Sequence, residues 1–263
     1  MKIAILSDIH ANLAAFDAVL RDIDKKGGVD QYWNLGDITD YGPDPHECLQ
    51  KVRQLEAVSV IGNHDYAVIG KLDYVREFPP SIALITAWSC RQMTSEDLEY
   101  LRGLPATLVI GKFTLVHASP RDPIWEYVFS EDLAQENLSH FQTRYCLLGH
   151  THVPLFFDFK NDNETGSSKQ NQRLMSHAEW HQALRQNRRG EIIINLSEDR
   201  LMINPGGIGQ PRDGDPRAAY ALYNSDDATV ELRRVEYDVA ATQKRMLAAG
   251  LPESFSARLA EGR

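Results

Sequence analysis

Aspartate, asparagine and histidine recur in this sequence at one kind of place, just after a short apolar run. Asp8 and His10 follow Ile3 to Leu6, and Asp37 follows Tyr32 to Leu35 across Gly36. Asn63 and His64 follow Val58 to Ile61, His117 follows Phe113 to Val116, and His150 and His152 follow Tyr145 to Leu148. A lone D-x-H or G-D ordinarily means a solvated turn. G-N-H-D at 62–65 and G-H-x-H at 149–152 are rarer, with a helix-capping cluster as the bland alternative for the first. Repetition after successive strands gives the members a shared meaning, a metal site. Every donor is nitrogen or oxygen and none is thiolate. That set suits manganese, iron, cobalt, nickel or zinc in a shell that keeps positions open for water. Asp37 is the natural centre, because a carboxylate has two oxygens and can bridge two cations.

The elements that must position these residues are legible around them. Leu13, Phe16, Val19, Leu20 and Ile23 have helical spacing, with Lys25-Lys26 favouring the helix dipole and Gly27-Gly28 ending the helix. Gly42-Pro43-Asp44-Pro45 opens a second helix, His46 to Leu55. Strand, helix, strand, helix, strand predicts a parallel sheet with right-handed crossovers. Ligands of such sheets bind outside the carboxyl ends of the strands. Residues 63–102 read as largely helical, divided at Pro79-Pro80, with a capped start at Ser95. Leu108 to Val116 reads as a hairpin, Glu131 to Leu138 as a short helix and Leu155 to Phe159 as a strand. A polar stretch at about 160–173 reads as a surface loop, and Leu174 to Leu184 as a helix. Glu191 to Leu196, Arg200 to Ile203, Ala218 to Tyr223 and Thr229 to Val235 read as a second, antiparallel set of strands. Helices at about 238–260 close a single domain spanning 1–263.

The constellation from Asp8-x-His10 to Gly149-His150-Thr151-His152 resembles the signature of the calcineurin-like metallophosphoesterases, from Met1 to about Tyr220. Asn204-Pro205-Gly206-Gly207-Ile208-Gly209-Gln210-Pro211-Arg212 resembles the loop after the last histidines in the small bacterial single-domain members. The resemblance implies an α/β fold, a four-layer αββα sandwich of two mixed sheets flanked by helices. It implies one metal held by Asp8, His10, Asp37 and His152, and another by Asp37, Asn63, His117 and His150. Manganese is the expected metal for both. The implied reaction is hydrolysis of phosphoester bonds by a hydroxide bridging two metals, with phosphodiesters or nucleotides as first substrates. Dinucleoside polyphosphates and phosphomonoesters, including phosphoproteins, are the alternatives. His64 is implied as general acid, with Asp40 orienting it, and Asn12 and Arg212 are candidate substrate contacts. In related phosphoprotein phosphatases the residue after the matching Asp is an Arg that grips phosphate. Here it is Tyr41, a departure that counts against a monoesterase. Some small bacterial relatives carry Cys where His64 stands, so the His favours proton donation to a poor leaving group. A non-catalytic scaffold, like the retromer subunit of similar fold, would be expected to have lost ligands. Here all seven ligands and His64 are present.

Composition narrows the setting. At 263 residues, with 43% hydrophobic and 25% charged residues, the chain suits one sizeable globular domain. A net charge of -9 disfavours binding to duplex nucleic acid, so the expected partner is a small phosphoester or nucleotide, with homo-oligomerisation left open. No apolar run is long enough for a bilayer, and Asp8 comes too early for a signal peptide. Cys48, Cys90 and Cys146 are odd in number and form no C-x-x-C, as expected of a cytoplasmic protein. His177 and His181 lack the Glu of a zinc-protease motif, since Ala178 stands there, and read as a solvated face. Arg185, Arg188 and Arg189, like His46 and His140, also read as surface.

Overall fold

The structure, a computed structural model, describes residues 1–159, 191–196 and 198–263. The stretches read from the sequence as a polar loop at about 160–173 and as a helix over Leu174 to Leu184, with His177, His181, Arg185, Arg188 and Arg189, lie outside the described residues.

Strands β1 (Lys2–Leu6), β2 (Gln31–Asn34) and β3 (Val58–Ser59) run parallel, joined by helices α1 (Leu13–Lys25) and α2 (Pro45–Gln54). α1 starts one residue after Asn12, whose side chain accepts the Ala15 amide. Because β1 alternates, it buries apolar residues on both faces. Ile3 and Ile5, with Trp33 and Leu35, face one core shared with Phe113, Leu115, Leu147 and Ile203. Ala4 and Leu6 face another, filled by Phe16, Val19 and Ile23 of α1 and Leu49 and Val52 of α2.

Helices α3 (Asn63–Val68), α4 (Tyr74–Glu77), α5 (Pro80–Gln92) and α6 (Ser95–Gly103) follow. Pro80 opens α5, as expected. The cap of α6 is Thr94 rather than Ser95: the Thr94 hydroxyl accepts the Asp97 amide while the Asp97 carboxylate accepts the Thr94 amide. The hairpin is β4 (Thr107–Ile110) and β5 (Phe113–Val116). After it come α7 (Glu131–Asn137), β6 (Tyr145–Leu147) and β7 (Pro154–Phe159).

The later strands part company. β8 (Glu191–Asn195), β10 (Ala218–Asn224) and β11 (Thr229–Val235) extend the first sheet antiparallel, in the order β3-β2-β1-β10-β11-β8. β9 (Arg200–Pro205) instead lies parallel to β6 in a second sheet, β4-β5-β6-β9-β7. The four strands therefore do not form a set of their own, as the sequence reading expected. Local pattern gives strand faces but not partners, and both sheets needed covering. The two mixed sheets pack across the Ile3–Phe113 core, with α1 and α2 over the first and α7 against β7 of the second. The layers are helix, sheet, sheet, helix.

Helices α8 (Val239–Ala248) and α9 (Glu253–Glu261) close the chain and make a third core. There Met246, Leu251, Phe255 and Leu259 pack with Ile85 of α5 and with Tyr41. Cys48, Cys90 and Cys146 are all free. Among the described residues no helix is long and apolar enough to cross a membrane.

Candidate metal centre

β1, β2 and β3 are parallel, and so are β5 and β6, so the loops after them lie at carboxyl ends. These loops are bent tightly. Eight of the ten described non-glycine residues with positive φ are Asp8, His10, Ala11, Asp37, Asp40, Tyr41, His150 and His152. Such backbone costs ~1–3 kcal/mol per residue and persists where surrounding structure imposes it. Asp65 supplies part of that constraint. Its buried carboxylate accepts the amides of Ile38, Thr39 and Gly62 and the Thr39 hydroxyl, holding the Asp37 loop to the start of α3. Burial, with Asp37 nearby, raises its pKa. Gly62 has no room for a side chain, since a Cβ there would meet Asp37 Oδ1 at 2.0 Å.

The loops bring together two groups of donors that share Asp37. One is Asp8, His10, Asp37 and His152; the other is Asp37, His117 and His150. Their ligand atoms lie within 4.8 Å of one another in each group. His10 Nε2 and His152 Nε2 are 3.1 Å apart, and His117 Nε2 is 3.1 Å from His150 Nδ1. Asn63 Oδ1 joins the second group, 3.0 Å from His117 Nε2.

Each imidazole is fixed by a backbone carbonyl on its far nitrogen. Nδ1 of His10 donates to Thr39 O, that of His117 to Leu35 O and that of His152 to Gln210 O. His150 is reversed: its Nε2 donates to Trp125 O, leaving Nδ1 for the centre. Such bonds set the tautomer and turn one lone pair from each ring inward. The carboxylates are divided in the same way. Asp8 Oδ2 accepts the Ser7 hydroxyl and the His150 amide, and Asp37 Oδ1 accepts the His64 amide. Asp8 Oδ1 and Asp37 Oδ2 are buried and accept no hydrogen bond. Asp37 Oδ2 lies 3.5 Å from His10 Nε2 and 3.3 Å from His117 Nε2, so one oxygen, rather than two, faces both groups. Inward lone pairs around two orphaned carboxylate oxygens fit cations: a buried acceptor without a partner is costly, and a metal ion satisfies it.

The protonation directions divide the cluster: three imidazoles are held neutral, as ligands require, while His117 and Asp8 are shifted toward their protonated forms. Burial holds His10, His150 and His152 well below the usual histidine range, as neutral ligands. Burial opposes charge on Asp37 too, but His117, His64 and His10 outweigh it and pull the carboxyl well below its usual value. Asp8 is pushed up to about 6, chiefly by burial. His117 rises to about 9, burial being outweighed by Asp37.

Beside the cluster, His64 Nδ1 donates to Asp40 Oδ2 at 2.8 Å. Asp40 also accepts the Thr86 hydroxyl, the Ser89 hydroxyl and the Tyr41 amide. Burial lowers the His64 pKa, but Asp37 and Asp40 outweigh it and raise it. The His64 side chain keeps 7% of its surface exposed while Asp40 keeps none. Tyr41 packs edge-on against His10 and stacks on Phe255 of α9, so the C-terminal helices back the position where the sequence departs from the phosphatase pattern. Arg212 lies over the Tyr41 ring at 5.8 Å and beside the Tyr127 side chain, with its buried Nε lacking a hydrogen bond. The glycine loop before it lets backbone pass close: a Cβ on Gly209 would meet the Ile9 carbonyl oxygen at 1.9 Å.

Asn12 is a correction. Its Oδ1 caps α1 and accepts the Thr242 hydroxyl, and its Nδ2 donates to Gly209 O and the Tyr237 hydroxyl. Buried and fully used, it ties α1 to the glycine loop and α8 instead of meeting substrate. His46, read as unpartnered surface, donates to Asp97 at 2.7 Å.

Residues 1–228 match the calcineurin-like phosphoesterase superfamily domain. The chain belongs to that superfamily. A metallophosphoesterase of Sphaerobacter thermophilus, known from its crystal structure, is 42% identical and superposes with a TM-score of 0.81 over 100% of both chains. An uncharacterized protein of Methanocaldococcus jannaschii is 37% identical over 269 residues, covering 99% of this chain and 98% of its own. A symmetrical bis(5′-nucleosyl)-tetraphosphatase of Nitrosococcus oceani is 29% identical over 143 residues, 52% of this chain and 50% of its own. The superfamily match ends before α8, so the helix that backs Tyr41 lies beyond it.

The sequence reading passed over Trp125, Tyr127 and Phe129. Their signal was alternation: Ile124 and Val128 are buried while the three aromatics between and after them are exposed.

Proposed function

We propose that the chain is a dinuclear-metal phosphoesterase acting on phosphodiester or nucleotide substrates. The observation that carries this reading is the pair of orphaned, buried oxygens, Asp8 Oδ1 and Asp37 Oδ2, set among tautomer-locked imidazoles. Asp8, His10, Asp37 and His152 would hold one ion, and Asp37, Asn63, His117 and His150 the other, with manganese as the proposed metal. Such ions, when bound, activate water near neutral pH and neutralise charge on a phosphoryl group. The chain's own residues do the rest. His64, charged more readily because of Asp40 and Asp37, donates a proton to the leaving oxygen. Asp40 keeps Nδ1 of that ring protonated and fixes its plane. Arg212, with Nε unpaired, contacts a phosphate oxygen. Tyr41 has no charge to grip a dianion, which favours diesters over monoesters. That the Nitrosococcus oceani relative is a bis(5′-nucleosyl)-tetraphosphatase supports a nucleotide substrate over the half of the chain it matches.

The test is hydrolysis of bis-p-nitrophenyl phosphate and of p-nitrophenyl phosphate by manganese-loaded protein. The diester should be cleaved faster. A clear monoester preference would overturn the diesterase ranking, and inactivity on both would overturn the phosphoesterase reading.

A further inference from the structure

Between β5 and α7 the chain exposes three aromatic rings in five residues. Trp125, Tyr127 and Phe129 keep 38%, 42% and 47% of their surface in solvent. Exposure of this kind, on one face and next to a donor cluster, marks a contact surface. The loop is held from behind. Ile124 and Val128 are buried, and Glu126 is gripped by Arg121, by the Ser119 hydroxyl at 2.6 Å and by Asn137 Nδ2 at 2.8 Å. With 124, 126 and 128 turned inward, 125, 127 and 129 face out. The rings are also ordered among themselves. Tyr127 and Phe129 lie within 5° of parallel, and Phe78, at the end of α4, meets Trp125 edge-on.

This face is continuous with the donor cluster. The Tyr127 ring stacks on His150 at 3.8 Å, and the Trp125 carbonyl fixes the His150 tautomer. Phe78 packs on His64 at 5.0 Å, and Arg212 lies beside Tyr127. A molecule with its phosphate at the cluster therefore has rings within reach of the next few atoms.

We propose that Trp125, Tyr127 and Phe129 form a stacking subsite for the base of a nucleotide whose phosphate sits at Arg212 and the metal ligands. The phosphate position rests on the phosphoesterase reading; the subsite rests on the rings. A nucleobase fits better than an apolar side chain of a protein partner, because the occupant must join a planar face to a phosphate. Stacking takes any base, so the subsite selects nucleotides over other phosphoesters without reading sequence.

The experiment is calorimetric titration of manganese-loaded protein with methylenephosphonate analogues of AMP and of ribose 5-phosphate, which esterases do not cleave. Wild type should bind the adenosine compound tighter by about 10-fold or more, the range base–aromatic stacking supplies. Trp125→Ala with Phe129→Ala should remove that preference and leave affinity for the ribose compound unchanged, which also reports that the variant is folded and loaded. Trp125→Phe should retain it. Tyr127 is left intact, since it touches His150. Equal affinities in wild type, or an undiminished preference in the double variant, would overturn the subsite. Hydrolysis of bis-p-nitrophenyl phosphate by the same preparations separates the two readings. Activity without base preference sinks the subsite alone, and base preference without activity sinks the phosphoesterase reading alone.

Discussion

The two oxygens of Asp37 have different partners. Oδ1 accepts the His64 amide and so anchors the start of α3, while Oδ2 faces His10 and His117 without a hydrogen bond. Asp37→Asn would replace one carboxylate oxygen by a donor and remove the charge shared by both proposed sites. Elemental analysis of purified protein should give close to two divalent ions per chain for wild type and fewer than half that for Asp37→Asn. Full occupancy in the variant would exclude the shared role. His64 poses a different question, because its ring is tied to Asp40 and its amide, not its imidazole, meets Asp37. His64→Ala should keep its metal yet lose ~10²–10⁴-fold in kcat on an alkyl or ribose ester. The loss should be smaller on a nitrophenyl ester, whose leaving group needs little protonation. An equal loss on both would mean that His64 acts by charge alone, and loss of metal would make it a ligand.

Among the elements, the loop from His117 to α7 has the clearest device. Glu126 stands in the middle of it and accepts bonds from Arg121, Ser119 and Asn137. Burial of this carboxyl is opposed by those donors, which hold it down to about 2. A carboxyl held below its ordinary value stabilises the fold fully above that ordinary value, and the contribution fades as pH falls through the lowered one. Glu126→Gln should cost about 1 kcal/mol, below the ~1.5–3 kcal/mol of a charged hydrogen bond because Arg121 is partly exposed. Near pH 7 the thermal midpoint should fall by roughly 2–4 °C. The difference from wild type should shrink as pH is lowered from about 4.5 toward 2, measured by circular dichroism. A difference independent of pH over that window would mean that the charge of Glu126 is not what holds the loop.

For the whole molecule, the donors come from both sheets. Asp8, Asp37 and Asn63 follow strands of the first, while His117, His150 and His152 follow strands of the second. A bound ion would therefore join the layers as well as fill the site. Anything that binds only the folded chain stabilises it by mass action, by ~2.7 kcal/mol when it is at a hundred times its Kd. For a chain of this size that is roughly 5–10 °C in thermal midpoint. Stripping divalent ions with a chelator should lower the midpoint by that order and restoring manganese should recover it. In Asp37→Asn neither step should have much effect. An identical response in the variant would place the stabilising ion elsewhere.

Placement after strands is a local property, and it was legible. Five apolar runs with a donor beyond each define a site at strand ends, because a strand's direction carries its last residues to one edge. Gly62-Asn63-His64-Asp65 could likewise be read as unusual from its own four letters. What stayed hidden depends on partners far away in the chain. Asn12 looked available to substrate until Gly209 and Thr242, 197 and 230 residues distant, took its amide and its oxygen. Tyr41 read as a missing arginine until Phe255 of α9 stacked on it. β9 left its neighbours for the second sheet because strand pairing is decided by which edge is open, and no periodicity encodes that. The tautomers of His10, His117, His150 and His152 were set by carbonyls of other loops. Residue type and strand ends thus came from the sequence, while the choice of which lone pairs face inward required the packed loops, since a hydrogen bond has direction and its partner is fixed only when both segments are in place.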